Sequence, residues 1–97
     1  MKMVTIKQGE NKFFVGENET DPLAEITFKQ ADDTSLIIDH TYVSDELRGE
    51  GVAGQLVDKM VTHAREEGKK LIPECSYAKS KLHKTPEYHD VLASDDT

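Results

Sequence analysis

Seven consecutive residues, Arg48-Gly49-Glu50-Gly51-Val52-Ala53-Gly54, combine three glycines and a cation just ahead of a long segment of helical period. Glycine lets a backbone take positive φ and approach an anion closely. A helix that starts there aims unpaired N–H groups and the positive end of its dipole at the same point. The stretch reads as a phosphate cradle, and the expected ligand carries a pyrophosphate. Few titratable side chains could act beside it. His40, three residues before Val43, exchanges protons near neutral pH when unperturbed, or is simply hydrogen-bonded within a sheet. Cys75 is a nucleophile as a thiolate and an inert packing residue as a buried thiol. Tyr77 and Tyr88 are weak acids, Tyr88 also a packing residue. Strand alternation should put Asp39 on the face opposite His40, so that at most one of them faces the site.

Around this chemistry the chain supplies strands, then a helix. Val4-Thr5-Ile6-Lys7, Lys12-Phe13-Phe14-Val15, residues 23–29 and residues 35–43 read as strands, divided by polar segments at 9–11, 16–22 and 31–34 that tolerate tight turns. Strict alternation in Ala24-Glu25-Ile26-Thr27-Phe28-Lys29 gives one buried and one wet face. Leu36-Ile37-Ile38 is apolar on both faces, as in a central strand. From Gly51 the period changes. Val52, Ala53, Leu56, Val57, Met60, Val61 and Ala64 form a helix face, Gly68 stops it, and His63 falls on the solvated side. Residues 70–75 read as a short strand whose Pro73 suggests a bulge, an edge or a splayed end. One or two helical turns can follow. Thr85-Pro86-Glu87 then looks like the cap of a short helix through Tyr88, Val91 and Leu92, and residues 93–97 should fray.

Composition narrows the functional classes. A chain of 97 residues with 36% hydrophobic and 32% charged residues suits one modest globular domain. A net charge of −7 argues against nucleic-acid binding, although Lys69, Lys70, Lys79, Lys81, His83 and Lys84 leave a basic corner in the last third. No apolar run approaches membrane-spanning length and no signal peptide is evident, so a cytoplasmic protein without membrane contact is expected. With Cys75 as the single cysteine, neither an internal disulfide nor a multi-cysteine metal site can form. His83 and His89 lack the spacing of a closed site, and no metal is expected.

Taken literally, Gly49-Glu50-Gly51-Val52-Ala53-Gly54 satisfies the dinucleotide fingerprint, with Glu74 at a ribose-binding distance. That motif opens a series of strand–helix units, however, and only one such unit can be built here. A Walker loop fails because Gln55-Leu56 occupies the places of its Lys and Ser/Thr. The pattern Arg/Gln-x-x-Gly-x-Gly/Ala at a helix start, five residues after a strand-ending valine, is met by Val43, Arg48, Gly51 and Ala53. The segment from Thr41 to Val57 thereby resembles the acetyl-CoA-binding motif of the GNAT superfamily of N-acetyltransferases. Asp39 to Val43, Cys75-Ser76-Tyr77 and residues 83–88 look like its minimal, single-domain YjdJ-type branch.

The resemblance implies an α+β fold: a mostly antiparallel sheet splayed around a central helix, lacking the paired helices usual between the first two strands. It implies acetyl-CoA as co-substrate, bound by Thr41, Tyr42, Val43, Arg48, Gly49, Glu50, Gly51, Val52, Ala53 and Gly54. The thioester would lie where the strand ending near Val43 parts from the next, with the Val43 amide polarising the acetyl carbonyl. Lys79, Lys81 or Lys84 would meet the 3′-phosphate. His40 and Cys75 are the catalytic candidates. The first is a base; the second is an acyl acceptor if His40 reaches it across the gap. Tyr77 or Tyr88 would protonate the departing thiolate. The acceptor is an amine, of a protein, a peptide or a small molecule, taken in an open groove by what is expected to be a monomer. A non-catalytic acyl-CoA-binding or sensing module, or a partner-dependent interaction domain, is the competing class.

Overall fold

The structure, a computed structural model, describes residues 4–93. Its strands β1 (Lys7–Gly9), β2 (Lys12–Val15), β3 (Ala24–Asp32), β4 (Ser35–Val43) and β5 (Lys70–Pro73) form one sheet in that spatial order. The first four make an antiparallel meander. Helix α1 (Val52–Glu67) then carries the chain back, so β5 runs parallel to β4. Helix α2 (Ser76–Lys84) follows β5. This is the α+β arrangement expected, with β4 inside the sheet.

Both tight hairpins are built from turn residues. Asn11, at φ 60°, closes the two-residue loop between β1 and β2. Between β3 and β4, the Asp32 carboxylate accepts the Thr34 N–H (2.8 Å) and hydroxyl (3.1 Å), which together hold its pKa below the ordinary value. The first strand is not residues 4–7. β1 pairs only over Lys7–Gly9, opposite Phe14, Phe13 and Lys12. Val4 and Ile6 instead pack partly against the core, and the Val4 N–H donates to Gln55 Oε1 at 3.3 Å.

The core is α1 pressed on one sheet face. Val52, Leu56, Val57, Met60, Val61 and Ala64 meet Phe13 and Val15 of β2, Ala24, Ile26 and Phe28 of β3, Leu36 and Ile38 of β4, and Leu71 of β5. Ala78 and Leu82 of α2 join them. Gly68, at φ 69°, ends α1 and bonds back to it. His63 is not a solvated surface residue. It stands at the flank of the helix face, half-buried, with its ring 5.3 Å from Phe13 and 5.4 Å from Phe28.

The C-terminal third departs furthest from expectation. α2 is a full helix of nine residues, held by the burial of Ala78 and Leu82. Residues 85–92, by contrast, form only a 3-10 turn at Pro86–Tyr88, uncapped by the Thr85 side chain. The chain leaves helical geometry there to lie along β5. The Leu71 N–H donates to the Val91 carbonyl (2.6 Å) and the Ala93 N–H to the Leu71 carbonyl (2.9 Å), so Ala93 is tied down rather than frayed. The rest of the expected tail, residues 94–97, lies outside the described residues, as do residues 1–3. Arg65 fastens this return through Asp90 (2.8 Å) and the Glu87 carbonyl (2.7 Å). No helix among the described residues is long and apolar enough to cross a membrane.

Candidate functional site

β4 and β5 separate at Pro73. Pairing runs from Ser35 and Lys70 to Ile38 and Pro73. The Ile38 carbonyl then takes the N–H groups of both Glu74 (2.9 Å) and Cys75 (3.2 Å) as the chain turns into α2. Residues 39–43 therefore keep β3 on one side and have no strand on the other. The parting sits nearer the start of the strand than its valine end suggested. Neighbouring strand residues point their amides to opposite sides. Since the Ser44 N–H donates to the Leu23 carbonyl on the β3 side (2.8 Å), the Val43 amide faces the gap.

A bulge decides which side chains accompany that edge. Thr27 pairs with His40 and Phe28 with Ile38, leaving Asp39 as an extra residue in β4. Alternation shifts by one, so that Thr41 and Val43, opposite the buried Ile26 and Ala24, face α1 as Leu36 and Ile38 do. His40 and Tyr42 face the other way and are exposed. Asp39 is not on the face opposite His40. Its carboxylate accepts the hydroxyl of Thr27, the residue paired with His40, so both share the outer face.

Beyond Val43, the 3-10 turn Asp45–Leu47 is anchored by buried Leu47, and Gly49 and Gly51 follow in left-handed conformation at φ 81° and 80°. Such residues curl successive N–H groups into a concave anion site. Gly51 is the N-cap of α1 with no side chain capping it, and the first helical bond is Gln55 N–H to the Gly51 carbonyl (3.2 Å). The amides of Val52, Ala53 and Gly54 thus point out of the helix end. Of the expected ligand-binding residues, Val43, Arg48, Gly49, Gly51, Val52, Ala53 and Gly54 line one cavity of about 250 Å³. Glu50 stands outside it, as do Thr41 and Tyr42. Arg48 is exposed, its Nε 3.4 Å from Asp45.

Cys75 is partly buried on the α1 side, its Sγ 3.4 Å from the Thr41 hydroxyl. Burial raises its pKa and is the largest single influence. The Thr41 hydroxyl and the amides of Ala78, Tyr77 and Thr41 act together against it, and the thiol ends below its ordinary value. No hydrogen bond joins Cys75 to His40 among the described residues, and the bulge gives them opposite faces. That the thiol would answer to Thr41 was not legible in the sequence, because a bulge leaves no compositional mark here.

Tyr77 lines the cradle, and its pKa is raised by burial and then by the nearby Cys75. Tyr88 serves as a latch. Its hydroxyl donates to Asp58 Oδ1 at 3.0 Å, and burial, followed by that bond, pushes its pKa up to about 12. An unfolded tyrosine ionises near 10. The folded state therefore binds the proton more tightly, and the latch's contribution is complete below pH 10 and is lost as pH rises toward 12. An ultraviolet titration should show one phenol ionising near pH 12, with stability falling from pH 10 upward. In Tyr88→Phe, the phenol near pH 12 should be gone and the fall in stability should be smaller, the remainder being due to Tyr77, whose pKa is also raised.

A larger groove, about 730 Å³, opens from the same end of α1. Its floor is the helix stripe Gly51, Gly54, Gln55, Asp58 and Thr62, and Tyr77, Lys81 and Tyr88 form one wall. That stripe recurs at three- and four-residue steps, the sequence signal that could have disclosed it. Lys79 is elsewhere, in a shallow cleft with Ser76, Ser80 and His83. Among the described residues no three His, Cys, Asp or Glu side chains gather as metal ligands.

A family model described as GCN5-related N-acetyl-transferase matches residues 12–91. The NMR solution structure of a GCN5-like protein from Staphylococcus aureus is 48% identical, with a TM-score of 0.81 over 99% of this chain and 94% of that one. A GNAT family acetyltransferase from Elizabethkingia anophelis, with acetyl-CoA bound, shares the fold at 16% identity and a TM-score of 0.57, over 75% of this chain and 50% of that one. Tetrahymena GCN5 does so at 14% and 0.60, over 88% of this chain and 61% of its own. No curated protein matches by sequence. A profile match across most of the chain, joined to a splayed sheet that ends on a glycine cradle, means that this protein belongs to the GCN5-related N-acetyltransferase family.

Proposed function

We propose that this protein is an acetyl-CoA-dependent acetyltransferase acting on amines. The observation that carries the reading is the continuity between the free edge of β4 and the left-handed loop at Gly49 and Gly51. Bound acetyl-CoA supplies an activated acyl group. The chain does the rest: amides around Gly49 to Gly54 would hold the pyrophosphate, and the edge of β4 beyond Thr41, whose own amide faces the Cys75 sulfur, would pair with the amide-rich arm. The Val43 N–H, which faces the gap, would donate to the acetyl carbonyl oxygen. His40, on the outer face with Asp39, removes the amine proton, and Tyr77 returns a proton to the departing sulfur. A two-residue turn joins β1 to β2, so no helices wall the acceptor side. An exposed protein or peptide amine, or a small amine, fits such an opening.

Cys75 favours a second reading, acetyl transfer through a cysteine thioester. Its lowered pKa, with the Thr41 hydroxyl and the start of α2 beside it, raises the thiolate fraction that such a step needs. The test is a two-dimensional NMR titration with acetyl-CoA, followed by intact-mass analysis of the same sample. Shifts clustered at 43–54 are expected, and their absence at saturating ligand would sink the reading. An acetyl mass retained on the protein and absent from Cys75→Ala, with turnover falling roughly tenfold or more, would establish the covalent route. Full activity in Cys75→Ala would leave direct transfer. Binding without acetylation of any amine would instead favour an acyl-CoA sensing module.

A further inference from the structure

The amide cradle and the 730 Å³ groove adjoin, sharing Gly51, Gly54 and Tyr77 as lining. Of Lys79, Lys81 and Lys84, only Lys81 lines that groove. Its Cε and Nζ both lie 3.7 Å from the place a Cβ would take on Gly54, so the ammonium hangs over a residue without a side chain, one turn into α1. Lys81 is half-buried, and among the described residues its ammonium has neither an ion pair nor a hydrogen bond. The groove's acid, Asp58, accepts the Tyr88 hydroxyl and attracts the Arg65 guanidinium. A partly covered cation without a counter-ion, beside a row of free amides, suits a second phosphate on the same ligand.

We propose that Lys81 recognises the ribose 3′-phosphate of coenzyme A and makes this protein select coenzyme A over its 3′-dephospho form. The inference rests on the acetyl-CoA reading. In coenzyme A the 3′-phosphate is one ribose ring from the pyrophosphate, and Lys81, beside Gly54 in the groove that adjoins the cradle, would be the cation to meet it. The groove has room for a nucleoside. Lys79 and Lys84 act only through long-range attraction, which salt screens.

Calorimetric titrations with coenzyme A and with 3′-dephospho-coenzyme A test this in four proteins: wild type, Lys81→Met, Lys81→Arg and Lys79→Met. Two-dimensional spectra would verify that each is folded. Methionine keeps the stem that packs on α1 and removes only the charge. Wild type should prefer coenzyme A by about tenfold or more, as expected of a charge-assisted phosphate contact. Lys81→Met should bring the two ligands to within about twofold while leaving dephospho-coenzyme A affinity as it was. Lys81→Arg and Lys79→Met should keep the preference. Equal binding of both ligands by wild type, or an undiminished preference in Lys81→Met, overturns the assignment and leaves the acetyl-CoA reading standing. Failure of wild type to bind either ligand overturns both.

Discussion

Gly51→Glu is expected to weaken acetyl-CoA binding by roughly a hundredfold or more while the fold survives. Gly51 has φ 80° and caps α1, so any side chain there costs about 1–2 kcal/mol of backbone strain. That cost falls on stability, and a domain can absorb it. The glutamate adds a negative charge where the amides of Val52, Ala53 and Gly54 emerge, the place proposed for a pyrophosphate. A like charge at ~4–5 Å near a protein surface contributes about 3 kcal/mol, which is roughly a hundredfold in affinity. Gly51→Ala carries the strain without the charge and should lose far less. Titration calorimetry on both variants, with circular dichroism to verify α1, separates the two effects. Undiminished binding in Gly51→Glu would mean that the cradle is only a helix-capping loop.

Leu56→Ala should destabilise the protein by about 3 kcal/mol. Leu56 is fully buried at the centre of the α1 face, against the sheet, and truncation leaves a cavity that a helix packed on a sheet cannot readily collapse. A domain of this size has about 5–10 kcal/mol in total, and the midpoint of thermal unfolding should drop by roughly 12–24 °C. Urea unfolding read by far-ultraviolet circular dichroism measures the change. Thr62→Ala, on the exposed stripe of the same helix, should stay within about 0.5 kcal/mol. A Leu56→Ala effect below about 1 kcal/mol would show that α1 is not docked as described, and the direction in which its N-terminus points would then be open.

The left-handed loop before α1 was legible because its cause is local. Glycines at 49 and 51 are needed where the backbone turns left-handed, and the helix that follows is written in the period of Val52, Leu56, Val57, Met60, Val61 and Ala64. Alternation in β3 and the apolar run in β4 likewise name their own burial. The short helix expected after Thr85 shows the limit of such signals. A proline at the first position favours a helical start, yet hydrogen bonds to Leu71 draw the chain along the sheet edge instead.

His40, Asp39 and Cys75 show the same limit at the site. Local alternation separates Asp39 from His40, but pairing with β3 inserts a bulge at Asp39 and gives both to the outer face. That single extra residue also turns Thr41 toward α1, where it meets Cys75 from the far end of another element. By itself, then, the sequence determined the strands from β2 onward and helix α1, where the left-handed glycine loop lies and which family pattern it follows, because each depends on residues within a few positions of one another. Only the tertiary structure decided which face each candidate side chain takes, which partner holds the thiol and which lysine reaches the groove. Those outcomes depend on register between strands and on the docking of α2, to which distant residues contribute as much as near ones.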